Sequence, residues 1–109
     1  MPGIDLSQRH LTRLLGLLAA HVPEAEVWAF GSRVDGSGHA GSDLDLVLRR
    51  PEALESPIGG AAALRAALEA SDLPMLVDVH DWALLPPAFR TEIGRRFVVV
   101  RESGGQEGR

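Results

Sequence analysis

A chain of 109 residues, 45% of them hydrophobic, is long enough for one domain with a modest core and too short for two. Fifteen acidic against 11 basic side chains leave a net charge of -4, which argues against a domain that grips nucleic acid through its overall field. The absence of cysteine excludes a disulfide scaffold, a thiolate metal site and cysteine nucleophilic catalysis, and no segment approaches the roughly 20 apolar residues of a membrane span. Without a basic stretch followed by an apolar run at the N-terminus, a soluble, cytoplasmic protein is expected.

In chain order, residues 7–21 read as a helix: Ser7 can cap it, and Leu11, Leu14, Leu15 and Leu18 recur at three- and four-residue spacing. Gly16 lowers the propensity without breaking the pattern. Pro23 closes the segment, and Val27 to Phe30 form a short apolar run suited to a strand. Gly31 to Ser42 is a glycine-rich connection with room for one short turn of helix. In the next strand, Leu44, Leu46 and Leu48 share one face while Asp43, Asp45 and Val47 take the other. Gly59 to Glu69 is alanine-rich and predicts a helix packing through Ala61, Leu64 and Leu68. Met75 to His80 predicts a third strand, with Asp78 and His80 opposite Val77 and Val79. Pro86 and Pro87 start a helix carried by Phe89 and Ile93, before Phe97 to Val100 resumes strand character. The domain is expected over residues 1–102, with 103–109 as a disordered tail. Helices alternating with strands in this order predict a compact α/β layer rather than a repeat array or a bundle.

The passage from Gly31 to Asp45 carries the chemistry. Gly31 lets backbone approach a ligand closely, and Ser32 offers an amide and a hydroxyl, two donors suited to a triphosphate. Asp43 and Asp45 stand two residues apart on a strand, so they emerge on one face about 6.7 Å apart at the backbone. Asp78, on a strand that can lie roughly 4.8 Å away, can join them. Three such carboxylates repel one another unless divalent cations such as Mg²⁺ intervene, and bound cations leave positions for phosphate oxygens and water.

Gly31-Ser32, ten intervening residues, Asp43-Leu44-Asp45 and the later Val77-Asp78-Val79 resemble the polymerase-beta-like nucleotidyltransferase superfamily. The pattern is most similar to its minimal nucleotidyltransferase branch, the MNT antitoxin type paired with HEPN toxins. The resemblance spans nearly the whole chain and implies a small mixed β-sheet flanked by helices. It further implies that Gly31, Ser32 and Arg33 contact nucleotide phosphates and that Asp43, Asp45 and Asp78 bind Mg²⁺ and are catalytic. ATP would be the AMP donor and a hydroxyl of a HEPN-type toxin the acceptor. The family often has a basic residue where this chain has Asp35. That departure keeps a second reading open, an antitoxin-like binding module with weak or no transferase activity.

Other polar residues have competing readings. Arg33 can bind phosphate, pair with Asp35 or cross the glycine-rich turn to stabilise an acidic neighbour. His80 reads first as a satisfied structural histidine and second as a neighbour of Asp78. Asp81, of opposite parity to Asp78, reads as a turn cap, His39 as a loop residue, and Trp28 and Trp82 as core or interface rather than nucleotide-stacking groups. A P-loop is excluded because the Gly-Lys followed by Ser or Thr is missing.

Overall fold

The computed structural model describes residues 3–38 and 41–103. Within them the elements run α1 (Gln8–His21), β1 (Glu26–Phe30), α2 (Ser32–Asp35), β2 (Leu44–Arg49), α3 (Ala61–Ala70), β3 (Val77–Asp81), a single 3-10 turn (Trp82–Leu84), α4 (Pro87–Arg95) and β4 (Val98–Arg101). The strands form one mixed sheet in the order β3-β2-β1-β4. β1 is antiparallel to both β2 and β4, while β2 and β3 are parallel and joined through α3. This is the expected small mixed sheet flanked by helices. The tail from residue 104 and His39 lie outside the described residues.

Strand parity decides which face each side chain serves. Leu44, Leu46 and Leu48 of β2, with Val27 and Ala29 of β1 and Val79 of β3, turn to one face and pack against Leu11, Leu14 and Leu18 of α1 and Leu64 and Leu68 of α3. Leu14, Leu18, Leu44, Leu46, Leu48 and Leu64 are entirely buried. The opposite parity puts Phe30 and Val47 on the second face, where Ile93 and Phe89 of α4 and the two tryptophans form a smaller cluster. Asp45, two residues from Val47, therefore points to the more thinly covered side. A carboxylate on the first face would be buried among leucines without a partner, a heavily unfavourable position.

Ser7 caps α1 as expected, its hydroxyl accepting the amide of His10 at 3.3 Å. Gly16 lies on the exposed side of this helix, where an added methyl group meets nothing within 4 Å. Replacing Gly16 by Ala is therefore expected to stabilise the protein by about 0.8–1 kcal/mol, measurable as a higher urea midpoint with an unchanged slope.

α3 begins at Ala61 rather than Gly59, because Gly60 sits at φ +92° and a side chain there would strike the carbonyl of His21. The close approach fastens the start of α3 to the end of α1. Asp81 is buried and structural, as its parity implies: one carboxylate oxygen accepts the amide of Ile58 at 2.8 Å and the other that of Ala83 at 3.2 Å. Arg90 then holds α4 against the 3-10 turn, donating to the carbonyls of Trp82 at 2.9 Å and Ala83 at 3.1 Å and pairing with Glu55. Those bonds fix where Phe89 lies over the sheet. Trp28 stacks on Phe97 with ring centroids 3.7 Å apart and carries the Arg49 guanidinium on its ring. Both tryptophans thus serve packing.

Candidate active site

β1 ends at Phe30, and Gly31 turns the chain at φ +84° into α2, where the amides of Val34 and Asp35 return to the Gly31 carbonyl. A side chain at position 31 would fall on the carboxylate of Asp45, so only glycine lets the turn and the strand come this close. A Gly31→Ala variant is expected to lose stability by about 1–3 kcal/mol from backbone strain alone, since φ +84°, ψ -158° is a glycine region. It should also displace Asp45 from the cluster. Chemical denaturation and cation titration would read the two effects.

Arg33 is buried behind this turn. Its Nε donates to the Ser42 carbonyl at 2.9 Å and a terminal nitrogen to the Asp5 carbonyl at 2.8 Å. The Asp5 amide in turn donates to the Arg33 carbonyl at 2.8 Å. Both side-chain bonds go to main-chain carbonyls and tie the glycine-rich connection to the segment before α1, a bracing role that differs from the three expected. Asp35 is exposed at the end of α2 and accepts both the amide and the hydroxyl of Ser37, which hold its carboxyl below the ordinary range.

Strand pairing brings the acidic residues together. Asp45 lies opposite Phe30 on one side and in register with Asp78 on the other. Burial pushes the Asp45 carboxyl above its ordinary value, and the Asp78 charge pushes in the same direction. Asp43, just before β2, is exposed; its charge also bears on Asp45, and with Asp78 it borders a groove of about 310 Å³ floored by Leu73, Met75 and Val77. A second recess of about 320 Å³ opens beside Gly31, between Asp35, Phe89, Arg95 and Arg96.

The tightest potential ligand set among the described residues is Asp45, Asp78 and His80, whose ligand atoms lie within 4.8 Å of one another. An octahedral divalent cation with bonds of about 2.1 Å spans opposite ligands about 4.2 Å apart, so small side-chain rotations close this set on an ion. The donors fit a divalent cation. Sequence reasoning put a structural role for His80 first and did not weigh Arg95 or Arg96. The signal for His80 was its two-residue spacing from Asp78, which places both on one face; nothing local placed α4 beside Gly31.

A glycine-serine turn leaving one central strand, an Asp-Leu-Asp on its antiparallel neighbour and a third aspartate on the next, parallel strand define a nucleotidyltransferase-type α/β domain. The nucleotidyltransferase domain family model matches residues 11–103, and the chain belongs to that family. A protein of Haemophilus influenzae (strain ATCC 51907 / DSM 11121 / KW20 / Rd), named "Probable protein adenylyltransferase MntA", is 38% identical over 99 residues, covering 91% of this chain and 85% of the relative. A solved structure described as a toxin-antitoxin with AMP-PNP superposes with a TM-score of 0.68 at 19% identity, covering 90% of this chain and 77% of the other. That structural likeness shows the shared fold. The protein is thus an enzyme of the nucleotidyltransferase class. Among the described residues no helix is long and apolar enough to cross a membrane.

Proposed function

We propose that the protein transfers AMP from ATP to a hydroxyl of a HEPN-type toxin in the cytoplasm and so acts as its antitoxin. The observation that carries this reading is the meeting of Asp45 and Asp78 beside the Gly31 turn. The 38% identity to a relative named for adenylyl transfer to protein, and the likeness of fold to a toxin-antitoxin structure with AMP-PNP, support it.

The backbone and hydroxyl of Ser32, at the start of α2, hold the triphosphate, and Gly31 keeps that turn free of side-chain bulk. Arg33 acts from behind by bracing the loop, while Arg95 and Arg96 supply positive charge in the recess beside it. Asp43, Asp45 and Asp78 would hold Mg²⁺, which when bound supplies charge neutralisation at the phosphates and lowers the cost of ionising the attacking hydroxyl. The acceptor enters through the groove bordered by Asp43 and Asp78. Its oxygen bonds to the α-phosphorus, the bond from that phosphorus to the bridging oxygen breaks, and pyrophosphate leaves. Asp78 orients the acceptor hydroxyl and receives its proton.

One observation favours the binding-module reading: the Asp35 carboxylate lines the recess beside Gly31, where it opposes a triphosphate. Parallel incubations with ATP labelled at the α- or the γ-phosphorus separate the two. Transfer of the α label alone to the partner, dependent on Mg²⁺, supports nucleotidyl transfer. Neutralisation of the toxin with neither label transferred supports the binding module.

A further inference from the structure

The side chains nearest Asp45 and Asp78 are not all carboxylates. Parallel pairing sets Val47 beside His80 two residues beyond the Asp45-Asp78 pair, so His80 projects on the same face as both acids. Its Nε2 lies 3.3 Å from an Asp78 carboxylate oxygen, and among the described residues this is its only polar partner. The second nitrogen of a metal-ligating histidine is usually held by a carboxylate, a backbone carbonyl or water. Here the ring is anchored by apolar surfaces instead. Phe30 at the end of β1 lies 5.7 Å from it and Phe89 of α4 lies 5.6 Å away on a nearly perpendicular plane. The two phenyl rings fix the imidazole so that its nitrogen edge faces the acids.

Donor chemistry then divides the site. Carboxylate oxygens alone suit Mg²⁺, which binds oxygen and water and dehydrates reluctantly. An imidazole nitrogen shifts preference toward first-row transition ions. Asp43 stands outside the mixed set, exposed at the mouth of the groove it shares with Asp78. We propose that His80 is a direct metal ligand, and that the Asp45-Asp78-His80 subsite takes Mn²⁺ in preference to Mg²⁺. The proposal rests on the reading of this face as the nucleotidyltransferase centre and specifies which cation one of its positions selects.

The test uses the full chain, freed of metal and titrated with Mn²⁺ followed by electron spin resonance, with Mg²⁺ as competitor. Pulsed measurements on the bound Mn²⁺ should show coupling to a directly bonded histidine nitrogen, changing when the protein is made with isotope-labelled histidine. Mn²⁺ should bind about tenfold or more tightly than Mg²⁺. His80→Leu, which keeps apolar bulk between Phe30 and Phe89, should abolish the coupling and bring the two affinities within about threefold. His80→Gln provides a second replacement should the first fold poorly. His39→Ala should leave the coupling intact.

Bound Mn²⁺ without nitrogen coupling, or coupling that survives loss of His80, overturns the assignment, as does a failure to bind Mn²⁺ at all. AMP transfer measured alongside keeps this separate from the functional reading. Transfer without the nitrogen coupling leaves the function standing and removes His80 as a ligand. Coupling in a protein that transfers nothing supports the ligand and defeats the function.

Discussion

Replacing Asp45 by Asn raises the melting temperature of the metal-free protein at neutral pH and removes most of the further rise that Mg²⁺ or Mn²⁺ gives the unmodified chain. Asp45 lies between β1 and β3, partly shielded from water and in register with Asp78. Burial first, and the Asp78 charge second, raise its carboxyl above the ordinary 3.8. A carboxyl whose folded-state value exceeds its unfolded one costs nothing while protonated in both states. The cost grows as pH rises from the unfolded value through the folded one and is constant above it. The stability difference between Asn and Asp should therefore open across that acidic window and persist at neutral pH. A bound cation reverses the sign, since a ligand present at a hundredfold its dissociation constant stabilises by about 2.7 kcal/mol. The Asn variant should also lose transfer by at least about a hundredfold, because Asp45 is the central member of the set. Thermal unfolding with and without cation, at several pH values, checks each part. A less stable metal-free variant that retains the cation-induced rise would contradict the role given to Asp45.

Asp78→Asn is expected to reduce turnover about a hundredfold or more while changing partner affinity by less than about threefold. The Asp78 side chain is 59% exposed, so replacing it with an isosteric amide leaves the packing of β3 intact. What disappears is the charge proposed to orient the acceptor hydroxyl and receive its proton. An interaction made in the transition state but not in the ground state lowers kcat with little change in KM. Single-turnover transfer combined with a separate affinity measurement distinguishes the two. Unchanged transfer would remove Asp78 from the chemistry, and equal losses in transfer and affinity would make it a docking residue.

Much of the fold was legible in the sequence because two periodicities dominate it. Leu11, Leu14 and Leu18 mark α1, and Leu44, Leu46 and Leu48 mark one face of β2. The opposite parity of Asp45 and Val47 placed the acids on the second face before any tertiary contact was known. Asp81 followed from the same parity argument. The start of α3 was less legible, since Gly60 is held out of the helix by its approach to the His21 carbonyl, a contact across nearly 40 residues. For the same reason the surroundings of the site were harder to read than its aspartates. Arg33 braces the loop because Asp5 and Ser42 lie within its reach, and the His80 ring, which strand parity puts on the acids' face, packs against Phe89 because α4 docks there. Arg95 and Arg96 reach the Gly31 turn through the same placement of α4. Such roles are set by how elements dock, and local pattern does not encode docking.

The central claim is nucleotidyl transfer to a protein hydroxyl, and intact-protein mass spectrometry tests it most directly. A HEPN-type toxin neutralised by this protein, purified and incubated with ATP, a divalent cation and the protein, should gain whole AMP increments and lose toxicity in step with their appearance. A variant with Asp43, Asp45 and Asp78 all replaced by Asn should still bind the partner and add nothing. Full neutralisation by that triple variant, with no mass gain on the partner from the unmodified protein under any nucleotide or cation supplied, would contradict the account and leave a protein that neutralises by binding alone.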